Sequence, residues 1–213
     1  MSKLSAETKK QVEKGISILR KGGLVAYPTD TVYGLGASAS LPEAVARVYA
    51  VKQRPRTMPL PLLVADRSQI SRLADPVPEI AWLLIERFLP GALTIVLPRS
   101  ASASDVLTAG ERTIALRIPA HPVPIALIEG LGSPIVGTSA NLSGQPSALT
   151  ADDVRSQLGG SVELVIDGGP CPGGKESTVV DVTGQMPVLL REGAISAEEL
   201  EQVCGDIIVR KRD

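Results

Sequence analysis

Glycine and proline divide this chain into short segments, and this division constrains the fold more than any other feature of the sequence. There are 20 Gly and 17 Pro among 213 residues, a combined share well above the average of about 12%. Short apolar runs alternate with helical patterns between these turn residues. Such a chain is expected to form short strands covered by helices, in an α/β or α+β fold. The surplus of turn residues indicates that loops build the functional site.

The apolar periodicity predicts the positions of the individual elements. Helices are predicted at 5–21, 42–51, 80–89, 123–129, 151–158 and 197–203. Strands are predicted at 24–27, 60–65, 93–97, 113–118, 134–137, 164–167, 178–182 and 188–190. Because proline lacks a backbone N–H, Pro61 argues that the strand around it lies at a sheet edge. No internal repeat or linker stands out, so residues 1–213 are expected to form a single domain.

Composition excludes several classes of function. Hydrophobic residues make up 44% of the chain and charged residues 21%, which favours a large core over disorder. There are only five aromatic residues, so the core is aliphatic and a base-stacking platform for single-stranded nucleic acid is not expected. The net charge of −1 does not steer the chain towards nucleic acid or an acidic membrane. With no long apolar run and no metal-like spacing of its two cysteines, the chain is expected in the cytoplasm, with reduced thiols.

Three short segments resemble catalytic motifs but lack the context that each motif requires. Residues 34–39 fit G-x-G-x-x-A, yet Pro28 separates them from the preceding strand and no acidic residue follows at the right distance. Residues 169–175 resemble a phosphate loop, but Glu176 stands where Ser or Thr is required. Ser139 is not in a G-x-S-x-G turn, and the single histidine, His121, lies before a proline. We therefore expect neither a dinucleotide fold nor a hydrolytic triad.

One stretch has an unusual local charge. From residue 44 to 65 there are four cations and no acidic residue, and three of the cations alternate: Lys52, Arg54 and Arg56. In an extended chain, alternate residues project to the same side, where three positive charges need an anion or water to separate them. The residues alone leave two interpretations equally open, a solvated basic edge and an anion-binding site.

Two loops rich in hydroxyl groups, amides and glycine favour a binding site. Residues 28–36 (PTDTVYGLG) follow the first predicted strand, and residues 137–144 (GTSANLSG) follow another. Open α/β sheets bind ligands at the carboxyl ends of their strands. Taken singly, each loop is better explained by ordinary turn chemistry.

Taken together and in order, seven segments resemble the YrdC-like threonylcarbamoyl-AMP synthase family. They span about residues 15–195 and comprise PTDTVYGLG at 28–36, KQRP at 52–55 with PL at 59–60, PGALT at 90–94, RIP at 117–119, SANLSG at 139–144, STV at 177–179 with Asp181, and REG at 191–193. The Lys-x-Arg and Ser-x-Asn elements are the signature of that family. Each segment alone is a weak signal, but the ordered set is specific.

The resemblance implies a fold and a reaction. The fold would be a YrdC-like twisted open mixed sheet with covering helices and a concave, positively charged cavity. The reaction would condense L-threonine, bicarbonate and ATP into threonylcarbamoyl-AMP, pyrophosphate and water. The product would be passed to transfer proteins that form threonylcarbamoyladenosine in tRNA. Mg²⁺ is expected with the nucleotide, and Asp30 is a weak candidate to hold it.

The resemblance also assigns residues to two halves of the site. On the ATP side it points to Lys52, Arg54, Met58, Thr113, Gly137, Ser139, Asn141, Ser147 and Arg191, with Lys52 and Arg54 as the catalytic pair. On the threonine side it points to Thr31, Arg117 and Ser177. Arg54 and Arg191 are the expected triphosphate contacts, because a guanidinium group matches phosphate oxygens. Arg117 is expected to pair with the carboxylate of the amino acid.

Two residues depart from the pattern of that family. Met58 stands where many relatives have a polar or basic residue, and Leu63 where some have histidine. The basic end at 210–212 could cover the site, or it could be a frayed end of the chain.

One alternative function is a double-stranded RNA or tRNA-binding module of the same fold without synthase activity. The other is the carbamoyl-transfer domain of hydrogenase-maturation proteins, whose further domains this sequence lacks.

Overall fold

A computed structural model describes residues 4–101, 103, 108 and 110–210. The helices are α1 (Ala6–Arg20), α2 (Pro42–Lys52), α3 (Arg67–Leu73), α4 (Glu79–Phe88), α5 (Pro122–Leu131), α6 (Ala151–Leu158) and α7 (Ala197–Cys204). The strands are β1 (Val25–Tyr27), β2 (Gly34–Gly36), β3 (Leu62–Leu63), β4 (Leu93–Pro98), β5 (Thr113–Arg117), β6 (Ile135–Val136), β7 (Thr138–Ser139), β8 (Leu164–Val165), β9 (Thr178–Asp181), β10 (Val188–Arg191) and β11 (Ile208–Val209). No helix within these residues is both long and apolar enough to cross a membrane.

Local sequence signals explain where the helices begin and end. Ser5 caps α1 by accepting a hydrogen bond from the Thr8 amide, and Pro42 opens α2, a position where proline loses no helical hydrogen bond. Thr150 caps α6 in a reciprocal capping box, which satisfies backbone donors at the helix start. At the other end of α2, Gln53 adopts a left-handed conformation (φ 51°) and ends the helix.

The predicted mixed α/β fold is confirmed, but the strands form two sheets rather than one. The smaller sheet has the order β7-β2-β1-β8, and the larger has the order β11-β10-β9-β4-β5-β3-β6. Both sheets contain parallel and antiparallel neighbours. Strands β6 and β7 are separated only by Gly137 and belong to different sheets, so the chain crosses from one sheet to the other at this glycine.

The prediction that the strand at 60–65 lies at a sheet edge is wrong. Strand β3 covers only Leu62–Leu63 and lies between β5 and β6, inside the larger sheet. Pro61 precedes the strand and so removes no ladder hydrogen bond, while its carbonyl accepts one from the Gly137 amide at 2.8 Å. The sequence patterns also missed α3, β2, β7 and β11.

Two apolar clusters hold the elements together, and both are mainly aliphatic, as the composition predicts. The larger cluster joins one face of the seven-stranded sheet to helices, for example Ile95 of β4 to Ile85 of α4 and Leu200 of α7. The smaller cluster packs α1 and α5 beside β1. Burial of aliphatic area of this kind is the main source of stability.

Candidate functional site

A cavity of about 1000 Å³ lies between the two sheets and is lined by residues of both. On the seven-stranded sheet, the lining includes Thr94 and Val96 of β4 and Ala115 and Arg117 of β5. Because alternate residues of a strand share a face, the intervening Ile95 is directed into the apolar core instead. One face of this sheet therefore builds the core, and the other face builds the cavity.

The charged side chains of the cavity lining are mostly basic. The lining includes the cations Lys52, Arg54, Arg117, Arg191 and Arg210, and the carboxylate of Glu176. Cations gathered around a concave surface attract a ligand with several negative charges.

Arg117 is held rigidly at one part of the cavity. It is 7% exposed, and its Nε donates to the Gly91 carbonyl oxygen at 2.9 Å. Its terminal nitrogens donate to Thr31 Oγ1 at 3.0 Å and to Asp30 Oδ1 at 2.7 Å. Asp30 also accepts from the Ala120 amide, so this carboxylate is fixed from two sides. The guanidinium group is therefore oriented before any ligand arrives.

Hydroxyl groups surround this arginine. Thr29 Oγ1 lies 3.0 Å from Thr31 Oγ1 and donates to the Val32 carbonyl oxygen at 2.7 Å. On β4, the strand next to that of Arg117, Thr94 Oγ1 lies 2.9 Å from Ser177 Oγ. These buried hydroxyls provide donors and acceptors for the small polar groups of a ligand.

Lys52 is buried, and its ammonium group is satisfied by the chain itself. Its Nζ donates to the Ser139 carbonyl oxygen at 2.5 Å, to the Asn141 carbonyl oxygen at 2.8 Å and to Asn141 Oδ1 at 3.3 Å. Its own carbonyl oxygen accepts from the Ser143 amide. Burial, together with the charge of Arg54, lowers the pKa of Lys52 to about 8. Lys52 thus fastens the 139–143 segment to the end of α2.

The stretch that contains Lys52, Arg54 and Arg56 is not extended, so the expectation that all three side chains project to one side is wrong. Because Gln53 is left-handed and the Arg54 amide donates to the Tyr49 carbonyl oxygen, the chain turns at this point. Lys52 and Arg54 line the cavity, whereas Arg56 is not among the lining residues. The Arg54 side chain donates to backbone carbonyl oxygens of the 54–59 loop.

Arg191 forms a second network with residues that follow the glycine-rich segment. Its guanidinium group donates to the Glu176 carboxylate and to the Ser177 carbonyl oxygen. The other carboxylate oxygen of Glu176 accepts from Ser147 Oγ at 2.8 Å. Burial opposes ionisation of Glu176, but Arg191, hydrogen bonds from Ser147 and Ser139, and the charge of Lys52 outweigh it and lower the pKa of the carboxyl group.

Comparison with known protein families shows which family this chain belongs to. The family model for Sua5, YciO and YrdC proteins, described as "Telomere recombination", matches residues 17–193. The chain belongs to the Sua5/YciO/YrdC family.

Individual family members are closely similar. The threonylcarbamoyl-AMP synthase of Bacillus subtilis is 46% identical over 202 residues, which is 94% of this chain and 58% of that protein. The protein of the same name from Pyrococcus abyssi is 47% identical, over 89% of this chain and 56% of that protein. The crystal structure of P. abyssi Sua5 complexed with L-threonine superposes with a TM-score of 0.92 at 44% identity, over 97% of this chain and 61% of the other. The present chain therefore spans little more than half the length of these relatives.

The structure brings most of the predicted site residues into the one cavity. Its lining includes Thr31, Lys52, Arg54, Met58, Arg117, Gly137, Ser139, Asn141, Ser177 and Arg191. Ser147 does not line the cavity but reaches it through Glu176. Thr113 is not brought to the cavity, because it begins β5 at the opposite end from Arg117 and pairs with Pro98.

Sequence patterns missed two lining residues whose side chains can bind a ligand, namely Thr94 and Glu176, whereas Arg210, which also lines the cavity, belongs to the basic end that is expected to cover the site. Thr94 alternates with Val96 on β4, a spacing that would have identified it once the cavity face was known. In the sequence, Glu176 stands out only as a departure from a phosphate-loop motif. Arg210 follows β11, and its amide donates to the Leu189 carbonyl oxygen; positions 211 and 212, also expected to cover the site, lie outside the described residues.

The segments that resemble other motifs have structural roles. Gly34 and Gly36 belong to β2 and lie against the ring of Tyr27, where an added Cβ would come within 2.7 and 2.6 Å of ring atoms. His121 caps α5 by accepting from the Val123 amide.

Met58 and Leu63, the two residues that depart from the family pattern, both line the cavity, so they affect its shape and polarity directly.

Proposed function

We propose that this chain condenses L-threonine, bicarbonate and ATP into threonylcarbamoyl-AMP, with release of pyrophosphate and water. The observation that carries this proposal is that Arg54, Arg117 and Arg191, which lie far apart in sequence, line one cavity. Relatives that are 46% and 47% identical carry the name threonylcarbamoyl-AMP synthase. This favours the synthase over an RNA-binding module without activity.

The chemistry explains why such a cavity is needed. The amine of threonine combines with bicarbonate to form a carbamate and water. A carbamate oxygen then attacks the α-phosphorus of ATP, and the bond from that phosphorus to the β-phosphate bridging oxygen breaks as pyrophosphate leaves. Both reactants are anions and repel each other in water. Fixed cations in a site shielded from bulk water reduce this repulsion and hold the short-lived carbamate in place.

The residues fall into two groups in this proposal. Threonine binds beside Thr31, Arg117 and Ser177, with Arg117 on its carboxylate. This assignment is supported by the fixed orientation of Arg117 and by the surrounding hydroxyls. ATP binds on the side of Arg54 and Arg191, and the full ATP-side set is Lys52, Arg54, Met58, Gly137, Ser139, Asn141, Ser147 and Arg191. Thr113 has no support from its position.

Mg²⁺ enters this proposal as part of the nucleotide substrate. Among the described residues there is no group of three or more His, Cys, Asp or Glu arranged to hold a metal ion. Asp30 is engaged by Arg117 and the Ala120 amide. A single carboxylate with substrate phosphates is nevertheless a common environment for Mg²⁺, so the ion is expected to travel with ATP.

Threonylcarbamoyl-AMP is a reactive mixed anhydride, so its consumer must act in the same compartment. We propose that proteins that transfer the threonylcarbamoyl group to adenosine in tRNA receive it, in the cytoplasm where tRNA and ATP meet. Direct contact with tRNA is not required for the reaction itself.

Isotope-labelled bicarbonate tests the reaction. With ATP and L-threonine present, label is expected in threonylcarbamoyl-AMP together with an equal amount of pyrophosphate, and carbonate-depleted buffer is expected to abolish both. The Arg54→Ala variant is expected to lose on the order of a hundredfold in turnover, because a cation near the developing phosphate charge is removed. Pyrophosphate release that does not depend on bicarbonate, or near-normal turnover by the variant, would contradict the proposal.

A further inference from the structure

Glu176 is a carboxylate in a cavity whose other charged lining residues are cations. Its two oxygens are both occupied, one by the Arg191 guanidinium and the other by Ser147 Oγ at 2.8 Å. The side chain is about 30% exposed, so it borders the open space of the cavity. A carboxylate in this position must influence any anion that enters.

The groups around Glu176 coincide with the ATP-side residues. Arg191 and Ser147 contact the carboxylate directly. Lys52 and Arg54 also attract the Glu176 carboxylate electrostatically. Each oxygen of a carboxylate accepts hydrogen bonds in the same way as a phosphate oxygen. Glu176 therefore occupies the point on which the anion-binding groups of the cavity converge.

We propose that Glu176 is an internal counter-ion that holds the position of the nucleotide phosphates while the cavity is empty, and competes with those phosphates for Arg191 and Ser147. This inference rests on the proposed function and adds a specificity-determining residue to it. In the empty protein, Glu176 balances the repulsion between Arg191 and its neighbouring cations. When phosphates bind, the carboxylate leaves Arg191 and the phosphate oxygens replace it.

The main consequence concerns pyrophosphate, the leaving group of the proposed reaction. A cluster of cations with no carboxylate would retain this strongly charged product. The Glu176 carboxylate lowers the affinity for pyrophosphate by competing for the same donors. It therefore favours release of the product after each turnover.

The Glu176→Gln variant tests the proposal, because glutamine keeps the size of the side chain but removes the charge and replaces one acceptor oxygen with an amide group that cannot accept from Arg191. Calorimetry with inorganic pyrophosphate is expected to show tighter binding to the variant by on the order of tenfold. Under turnover, pyrophosphate should inhibit the variant at a lower concentration, while the KM for threonine stays unchanged. A purely structural role of Glu176 would not produce this split. Glu129→Gln on the exposed face of α5 is the matched control, with the same change in net charge and no expected effect.

Unchanged or weaker pyrophosphate binding by Glu176→Gln would overturn the counter-ion role even if the wild type binds ATP and pyrophosphate. Failure of the wild type to bind either ligand would overturn the proposed function itself, and this inference with it. If the variant does not fold, carbon-13 NMR of the wild-type Glu176 carboxylate gives the answer. Its signal is expected to shift as pyrophosphate is added and Arg191 is lost as a partner, and a signal that does not move would overturn the proposal.

Discussion

The cavity contains two arginine–carboxylate pairs that differ in their accessibility. In the Arg117–Asp30 pair, the side chains are 8% and 16% exposed, whereas in the Arg191–Glu176 pair they are 32% and 30% exposed. Asp30 is further fixed by a backbone amide, but Glu176 is held by the hydroxyl of Ser147. The comparison indicates that the first pair is a permanent part of the fold and that the second can be exchanged for a ligand.

The largest effect is expected from breaking the permanent pair. Asp30→Ala should lower the free energy of unfolding by about 3 kcal/mol, because it leaves the buried Arg117 charge without its carboxylate partner and with only neutral acceptors. Glu176→Ala should lower it by only about 1 kcal/mol, since solvent screens the partly exposed Arg191–Glu176 pair. Chemical denaturation of both variants measures this difference.

The exposed pair Arg155–Asp152, whose aspartate side chain is 90% exposed, is the control for this comparison. Asp152→Ala should cost less than about 1 kcal/mol. Equal losses at Asp30 and Glu176 would remove the distinction between a permanent and an exchangeable pair.

A smaller effect is expected at Ser177, which lies between the two networks. Its Oγ contacts Thr94 Oγ1 at 2.9 Å, and its carbonyl oxygen accepts from Arg191. Ser177→Ala removes the hydroxyl, and with it a long hydrogen bond of 3.3 Å from Arg191, but keeps the two shorter bonds from Arg191 to the carbonyl oxygen. It should therefore raise the KM for threonine about fivefold, which corresponds to one hydrogen bond, and change the KM for ATP much less. Steady-state kinetics with each substrate varied in turn measures this. A larger change for ATP would mean that the two halves of the cavity have been assigned the wrong way round.

The smallest effect concerns pH and Lys52. Burial lowers the pKa of Lys52 in the folded protein to about 8, from its ordinary value of 10.5. Between these values the unfolded chain binds more protons than the folded chain, so this group makes stability rise as pH increases from about 8 towards 10.5. Lys52→Met should remove this contribution. Thermal unfolding of both proteins across this pH range tests it, and identical pH profiles would argue against the lowered pKa of Lys52.

Much of the fold could be predicted from sequence, because its signals are local. Helix α6 begins and ends at the predicted residues, since the capping residue and the apolar spacing agree. Strand β2 was missed because a Gly-Leu-Gly segment has low strand propensity; the ring of Tyr27 lies against both glycines and requires their lack of a side chain. Helix α3 has seven residues and buries only Ile70, which is too little for a periodic pattern.

The candidate site was less predictable, because its residues come together only through the tertiary fold. The resemblance to family motifs indicated Arg54, Arg117 and Arg191, but no local pattern indicated that they share a cavity. The alternation of Lys52, Arg54 and Arg56 suggests an extended strand, whereas the left-handed Gln53 turns the chain directly after Lys52, and Arg56 does not line the cavity. Glu176 has no motif of its own, and only its contacts with Arg191 and Ser147 reveal its importance.

The crossing between the sheets at Gly137 has a consequence for the width of the cavity. A methyl group at this position would sit 2.3 Å from Leu63 Cγ, well inside van der Waals contact. Any larger residue would push β7 away from β3 and carry Ser139 and Asn141 with it, away from Lys52. The lack of a side chain at Gly137 therefore sets the spacing between the two walls. It thereby limits the size of the molecule that fits between them.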